Sequence, residues 1–224
     1  MIINNSKGDR VFVSWSGGKD SYLSLLLAKE EGFEIACLLS FIGGEGRSRS
    51  HGIKTEILKK QAELLGIPLE TEEVTWESYE GGFEEAVSRL KEERGVTGGV
   101  FGDINLNEHL DWIEKMCGRC GIKFNLPLWQ MEEKKVSELL IDRGGKAMVV
   151  AIRRDLVDES WLGKLIDQDF IEYCLDIGIS PCGEGGEAHT LVIDGPLFSE
   201  PLHCKPGKIE RKENRALLEI GSPD

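Results

Sequence analysis

Apolar residues in the first half of the chain follow two alternating rhythms. Short runs at Val11 to Trp15, Ile35 to Phe41, Leu69 to Val74 and Val100 to Gly102 have the length and side-chain types of buried strands. Between them, Ser21 to Glu30, Lys54 to Leu65, Phe83 to Glu93 and Asn107 to Cys117 space their apolar residues three and four apart. Ile57, Leu58, Gln61, Leu64 and Leu65 fall on one helical face in this way. Alternation of strand and helix predicts a parallel sheet with right-handed crossovers, whose carboxyl edge is the usual ligand-binding side. The segment from Cys117 to Ile122, followed by Leu126-Pro127-Leu128-Trp129, reads as the exit from this unit. Beyond it the pattern predicts a helix over Lys134 to Arg143, a strand over Ala147 to Ile152 and a short helix over Phe170 to Leu175. Further short strands are expected at Thr190 to Asp194, Leu197 to His203 and Ala216 to Ile220. The expected fold class is α/β, with an N-terminal parallel-sheet domain over residues 1–125 and a smaller mixed α/β domain over 126–224.

Composition narrows the function classes. A chain of 224 residues, 40% of them apolar, can bury a sizeable core. Forty acidic residues against 27 lysines and arginines give a net charge of −13, which opposes any dominant role in wrapping nucleic acid or lying on an anionic membrane. A local basic patch can still hold a phosphate. No apolar stretch has the length of a membrane span, and the start carries no leader pattern, so the expectation is a cytoplasmic protein. Six scattered cysteines fit a reducing compartment, and the pair Cys117 and Cys120 lacks a second pair to complete a zinc or iron–sulfur set. The five tryptophans are expected as anchors of the core or of the domain interface.

The sharpest chemical signal is the strand ending at Ser14 and Trp15, followed by Ser16-Gly17-Gly18-Lys19-Asp20-Ser21 and an apolar helix start. Two glycines at a strand-to-helix turn leave backbone N–H groups around a concavity, and the hydroxyls and Lys19 add donors. The spacing fits neither the P-loop nor the dinucleotide fingerprint, yet such a nest suits a pyrophosphate. Asp20 either organises the turn or positions magnesium. Asp103, at an expected strand end, is a candidate for magnesium or nucleotide placement, or else a helix cap. His51, in the polar loop from Glu45 to Gly52, is a second nucleotide-side candidate.

Near the other end, Pro181-Cys182-Gly183-Glu184-Gly185-Gly186-Glu187-Ala188-His189-Thr190 is a glycine-rich polar loop feeding an apolar strand. Glu184, Glu187 and His189 are candidates for ordering an amine or metal, or for handling protons.

The motif Ser16 to Ser21 resembles that of the N-type ATP pyrophosphatase (PP-loop) family. The segment from Pro181 to Thr190, with Asp194-Gly195-Pro196-Leu197-Phe198, is similar to its diphthine-ammonia ligase group, and the likeness spans nearly the whole chain. At Leu106, His109 and Trp112 the chain departs from the serine, glutamine and arginine common in that group. The resemblance implies a PP-loop ATP-binding domain at 1–125 and an acceptor-binding domain at 126–224. It also implies adenylation of a carboxylate, then amidation by ammonia with release of AMP and pyrophosphate, and translation elongation factor 2 as bearer of the acceptor. ATP and Mg2+ are the implied cofactors. Ser14, Ser16, Gly17, Gly18, Lys19, Asp20, Ser21, His51 and Asp103 would bind nucleotide, and Lys19, Asp20, Glu184, Glu187 and His189 would carry the chemistry. An adenylating enzyme acting on another carboxylate, an amide or a tRNA base, and a non-catalytic ATP sensor, are the competing expectations.

Overall fold

The computed structural model describes residues 1–48 and 52–221, so His51 lies outside the described residues. In chain order the elements begin with β1 (Ile2–Ile3), β2 (Arg10–Ser14), α1 (Lys19–Glu30), β3 (Glu34–Gly43), β4 (Arg47–Ser48), α2 (Thr55–Leu65), β5 (Leu69–Glu73) and α3 (Tyr79–Arg94). They continue with β6 (Gly98–Val100), α4 (Asn107–Cys120), β7 (Lys123–Leu126), α5 (Glu133–Asp142), β8 (Lys146–Arg153), α6 (Gln168–Asp176), β9 (Ala188–Asp194), β10 (Pro206–Arg211) and β11 (Arg215–Ile220).

Two sheets result. In the first, β7, β6, β2, β3 and β5 run parallel in that order, with β1 antiparallel on β7 and β4 antiparallel on β3. The second is antiparallel, in the order β10-β11-β8-β9. Strand β2 is central because Val11, Phe12 and Val13 are buried on both faces. Its neighbour β6 is built from glycine for a packing reason: a Cβ on Gly99 would stand 2.6 Å from the Phe12 ring. From β2 the chain crosses to β3 on one side, whereas β6 lies on the other. The carboxyl ends of β2 and β6 therefore frame the topological switch point, the usual ligand crevice of an open α/β sheet.

Each face of the first sheet has its own core. One joins Phe12, Leu39, Phe83, Phe101, Ile113 and Met116 beneath α3 and α4. The other runs from Val11, Leu23 and Leu58 under α1 and α2 into Met148, Leu191 and Val192 of the second sheet.

Four expectations change. The strand expected at Val100 to Gly102 lies instead at Gly98–Val100, with Phe101 and Gly102 beyond its end. Cys117 to Ile122 is not an exit from the first unit. It holds the last turn of α4, which is closed by Gly121 at φ +62°, and the chain then re-enters the sheet as β7. Leu197 to His203 forms no strand; it is tied down by single bonds, Ser199 N–H to the Leu64 carbonyl at 2.9 Å and Leu202 N–H to that of Ile193 at 2.7 Å. Among the tryptophans, Trp15 and Trp129 are buried and Trp161 packs on Phe170, but Trp76 is 70% exposed and anchors no core. Cys117 is buried, which pushes its thiol up to about 12. No helix among the described residues is long and apolar enough to cross a membrane.

Candidate functional site

The turn between β2 and α1 is shaped by what surrounds it. Gly17 adopts φ +81°, and a Cβ there would come within 2.7 Å of Leu58 Cδ2 and 2.9 Å of Gln61 Oε1. Its carbonyl accepts from Val192 N–H at 2.9 Å and from Gln61 Nε2 at 3.0 Å; the same amide also donates to the Val192 carbonyl at 2.7 Å. Trp15 Nε1 donates to Gln61 Oε1 at 3.1 Å, so the buried glutamine is held at both ends. Gly18 precedes the helix in extended conformation with no side-chain cap. Lys19 N–H donates to Thr190 Oγ1 at 3.1 Å, fastening the helix start to β9. The Ser16 hydroxyl accepts from Gly18 N–H at 3.2 Å and stands 3.1 Å from that of Ser21, which donates to the Gly18 carbonyl at 2.9 Å. A helix N-terminus preceded by a glycine nest and flanked by two hydroxyls offers an anion both partial positive charge and donors.

Lys19 is only 2% exposed, and its ammonium lies 2.6 and 2.7 Å from the two carboxylate oxygens of Asp20. Burial pulls the lysine pKa down, but Asp20, with Cys182 and Glu184 beyond it, outweighs burial and leaves it raised. The ammonium is therefore charged at neutral pH inside the protein. Across the cleft, burial and then the Asp20 charge raise the Glu184 carboxyl, although its Oε1 accepts from Ile104 N–H at 3.4 Å. Asp103 bonds His109 Nδ1 at 2.7 Å, and that bond is the main reason the imidazole pKa is raised.

Ser14, Ser16, Lys19, Asp20, Ser21, Asp103, Glu184 and His189 together line a cleft of about 290 Å³. Gly17 and Gly18 support it from the backbone. Glu187 does not line it: its carbonyl accepts from Arg153 N–H at 2.8 Å, and its Oε2 is buried without a hydrogen-bond partner. Thr190, which closes the glycine-rich motif, also lines the cleft. Gln61 and His109 belong to the site although neither was among the expected site residues; the signal at Gln61 was an amide in the apolar stripe of its helix, and at His109 its departure from the group's glutamine. A second cleft of about 520 Å³ opens beside the first and shares Ser14, Phe41, Tyr79, Asp103 and His109 with it.

Residues 9–124 match the diphthamide synthase N-terminal domain, and residues 132–222 match the diphthamide synthase C-terminal domain. The diphthine–ammonia ligase of Mus musculus is 25% identical over 218 residues, covering 86% of this chain and 82% of its own. That of Homo sapiens is 26% identical over 218 residues with the same coverage, 86% and 82%. The tRNA-5-methyluridine(54) 2-sulfurtransferase of Pyrococcus horikoshii is 39% identical over 64 residues, 29% of this chain and 20% of its own.

Proposed function

The chain belongs to the diphthamide synthase family, and from that premise we propose that it is an ATP-dependent ligase that adenylates a substrate carboxylate and amidates it with ammonia. One observation carries the reading. The segments 16–21 and 182–190, far apart in sequence, line one cleft and are joined by the bond from Lys19 N–H to Thr190 Oγ1 at 3.1 Å. A nucleotide sensor would need only the first segment. In this proposal residues 1–125 seat ATP, and residues 126–224 supply the acceptor side.

The β and γ phosphates would occupy the Ser16 to Ser21 turn, with Ser14 beside the nucleotide and Lys19 offsetting charge on the departing pyrophosphate. The acceptor carboxylate oxygen attacks the α phosphorus, and the bond to the β-phosphate oxygen breaks. Ammonia nitrogen then attacks the acyl carbon, the bond to AMP breaks, and a proton leaves the nitrogen. Glu184, its carboxyl raised by burial, suits that proton. His189 lines the same cleft, and Glu187, one residue from the strand carrying it, would set its position.

Among the described residues no group of three or more His, Cys, Asp or Glu forms a metal cage by itself. Asp20 and Asp103, two carboxylates on a phosphate cleft, nonetheless fit magnesium, which takes one or two carboxylates and completes its shell with phosphate oxygens. The ion would supply charge neutralisation on the phosphates.

The names of the relatives support diphthine as acceptor, placed here on translation elongation factor 2 in the cytoplasm. The test is incubation with ATP, magnesium, ammonium and diphthine-bearing elongation factor, followed by mass measurement of the products. AMP, pyrophosphate and an amidated acceptor are expected. ADP with phosphate, or bound ATP that stays intact, would overturn the reading. The local match to a tRNA sulfurtransferase favours one second reading, an adenylating enzyme with a tRNA base as acceptor. Release of pyrophosphate with tRNA, and none with the elongation factor, would establish that instead.

A further inference from the structure

Asp103 enters the phosphate cleft from a firmly anchored stretch of backbone. Phe101 N–H donates to the Asn125 carbonyl at 2.9 Å and Gln130 N–H to that of Ile104 at 2.6 Å, while the Ile104 side chain is buried. A Cβ on Gly102 would stand 3.0 Å from the carbonyl carbon of Asp20 and 3.1 Å from the Ser21 nitrogen, so the chain leaving β6 lies directly on the first turn of α1. That approach sets Asp103 on the same cleft wall as Asp20. The two carboxylates are not equally free. Both oxygens of Asp20 are engaged by the Lys19 ammonium, at 2.6 and 2.7 Å. Asp103 meets His109 instead, Oδ1 to Nδ1 at 2.7 Å. Its side chain does not cap α4, which starts from Leu106 with no side-chain cap.

We infer that His109 is the positioning residue of the magnesium site: its ring N–H holds Oδ1 of Asp103 and so leaves Oδ2 as the single oxygen offered to the cation. Three arguments lead there. An ionised carboxylate can only accept, so the bond puts a proton on Nδ1 and fixes how the carboxylate is turned. Carboxylates that hold metals are themselves held by hydrogen bonds, and with Asp20 committed to Lys19 the orientation of Asp103 decides how well the site closes on an ion. Magnesium demands near-octahedral geometry, whereas calcium tolerates irregular shells and carboxylates bound through both oxygens. An aspartate with one oxygen already taken suits the smaller ion. As a fold-stabilising ion pair the contact has little to offer, because the imidazole side chain is 56% exposed.

This inference rests on the nucleotide site proposed above, and its test separates the two. His109→Leu removes the ring N–H, and His109→Asn returns an N–H close to the place that Nδ1 occupies. The probe is α,β-methylene-ATP, whose bridge between the α and β phosphorus atoms does not break. Its binding to the full chain is followed by calorimetry at rising magnesium and, separately, at rising calcium. The leucine variant is expected to need about tenfold more magnesium than the wild type for half-maximal nucleotide affinity, with an unchanged melting temperature. Its calcium requirement is expected to move by less than about twofold. The asparagine variant is expected to stay within about threefold of the wild type for magnesium. An unchanged magnesium requirement in the leucine variant would overturn the inference, as would an asparagine variant equally impaired. So would equal shifts with the two metals, or an affinity lowered as much in EDTA as in magnesium. Pyrophosphate release with the elongation factor is measured in parallel. A magnesium-specific shift without that release would leave His109 in its role and the ligase reading fallen; release without the shift would do the reverse. A wild-type chain that does not bind the analogue would overturn both.

Discussion

In the proposed reaction Lys19 is the side chain on which the charge balance turns. Its ammonium is buried yet charged, held by both oxygens of Asp20 beside a turn shaped for phosphate. Lys19→Ala is therefore expected to cut pyrophosphate formation about 100-fold or more, measured by a coupled pyrophosphate assay, while circular dichroism stays native. Glu184 makes the opposite bargain. Burial raises its folded-state pKa above the ordinary carboxyl value of 4.5. Its stabilising contribution is thus complete below that value and is lost as pH rises through the folded pKa. At neutral pH the charged carboxylate is a liability to the fold, so Glu184→Gln is expected to melt at or above the wild-type temperature at pH 7.5. The difference should shrink as pH falls towards 4.5, and amide formation should be lost at both ends. A variant that melts lower at pH 7.5 would show that the carboxylate is stabilised rather than strained. Asp103 and His109 show how a residue acquires a role that its type does not declare: six positions apart, they meet at 2.7 Å because α4 begins at Asn107 and curls the imidazole back over the strand end.

At the scale of elements, the strand-turn-helix unit was readable because its determinants are local: a buried strand, two glycines, then an apolar helix buried on nearly every face. The turn's tolerance is narrow. Gly17→Ala places a methyl against Leu58 and Gln61 at a positive φ, which is expected to cost about 2–4 kcal/mol, read as a lowered midpoint in urea unfolding. Elements that depend on a neighbour were harder to see. In β10 only Ile209 is withdrawn from solvent, and it is a strand because β11 pairs with it. In β6 two glycines stand where a strand pattern would call for β-branched residues, and their meaning appears only when Asn5 is seen against Gly98 and Phe12 against Gly99. Leu197 to His203 has apolar residues but makes no ladder: Leu202 N–H reaches the Ile193 carbonyl of β9 and Ser199 N–H that of Leu64, single bonds on two different elements. The candidate site divides in the same way. Ser16 to Ser21 and Pro181 to Thr190 stood out by local composition, whereas the part played by Gln61 required Gly17 and Val192, from the two halves, to be brought together.

For the molecule as a whole, the decisive fact is a core that does not stop between the sheets. Leu23 and Leu58 of the first half and Met148, Leu191 and Val192 of the second belong to one buried cluster. Thermal unfolding is accordingly expected as one transition, with fluorescence and circular dichroism coincident; two separated transitions would contradict a shared core. The acidic surplus sits on this common body, and a net charge of −13 favours partners that bring positive charge. The carbonyl of Gly17, bound by Val192 N–H at 2.9 Å, has one more implication. That amide is a reporter wired to the proposed nucleotide seat from 175 positions along the chain. Quieting the seat with ATP should lengthen the lifetime of its proton, so deuterium uptake at Val192 is expected to slow when nucleotide is added and to recover when it is washed away.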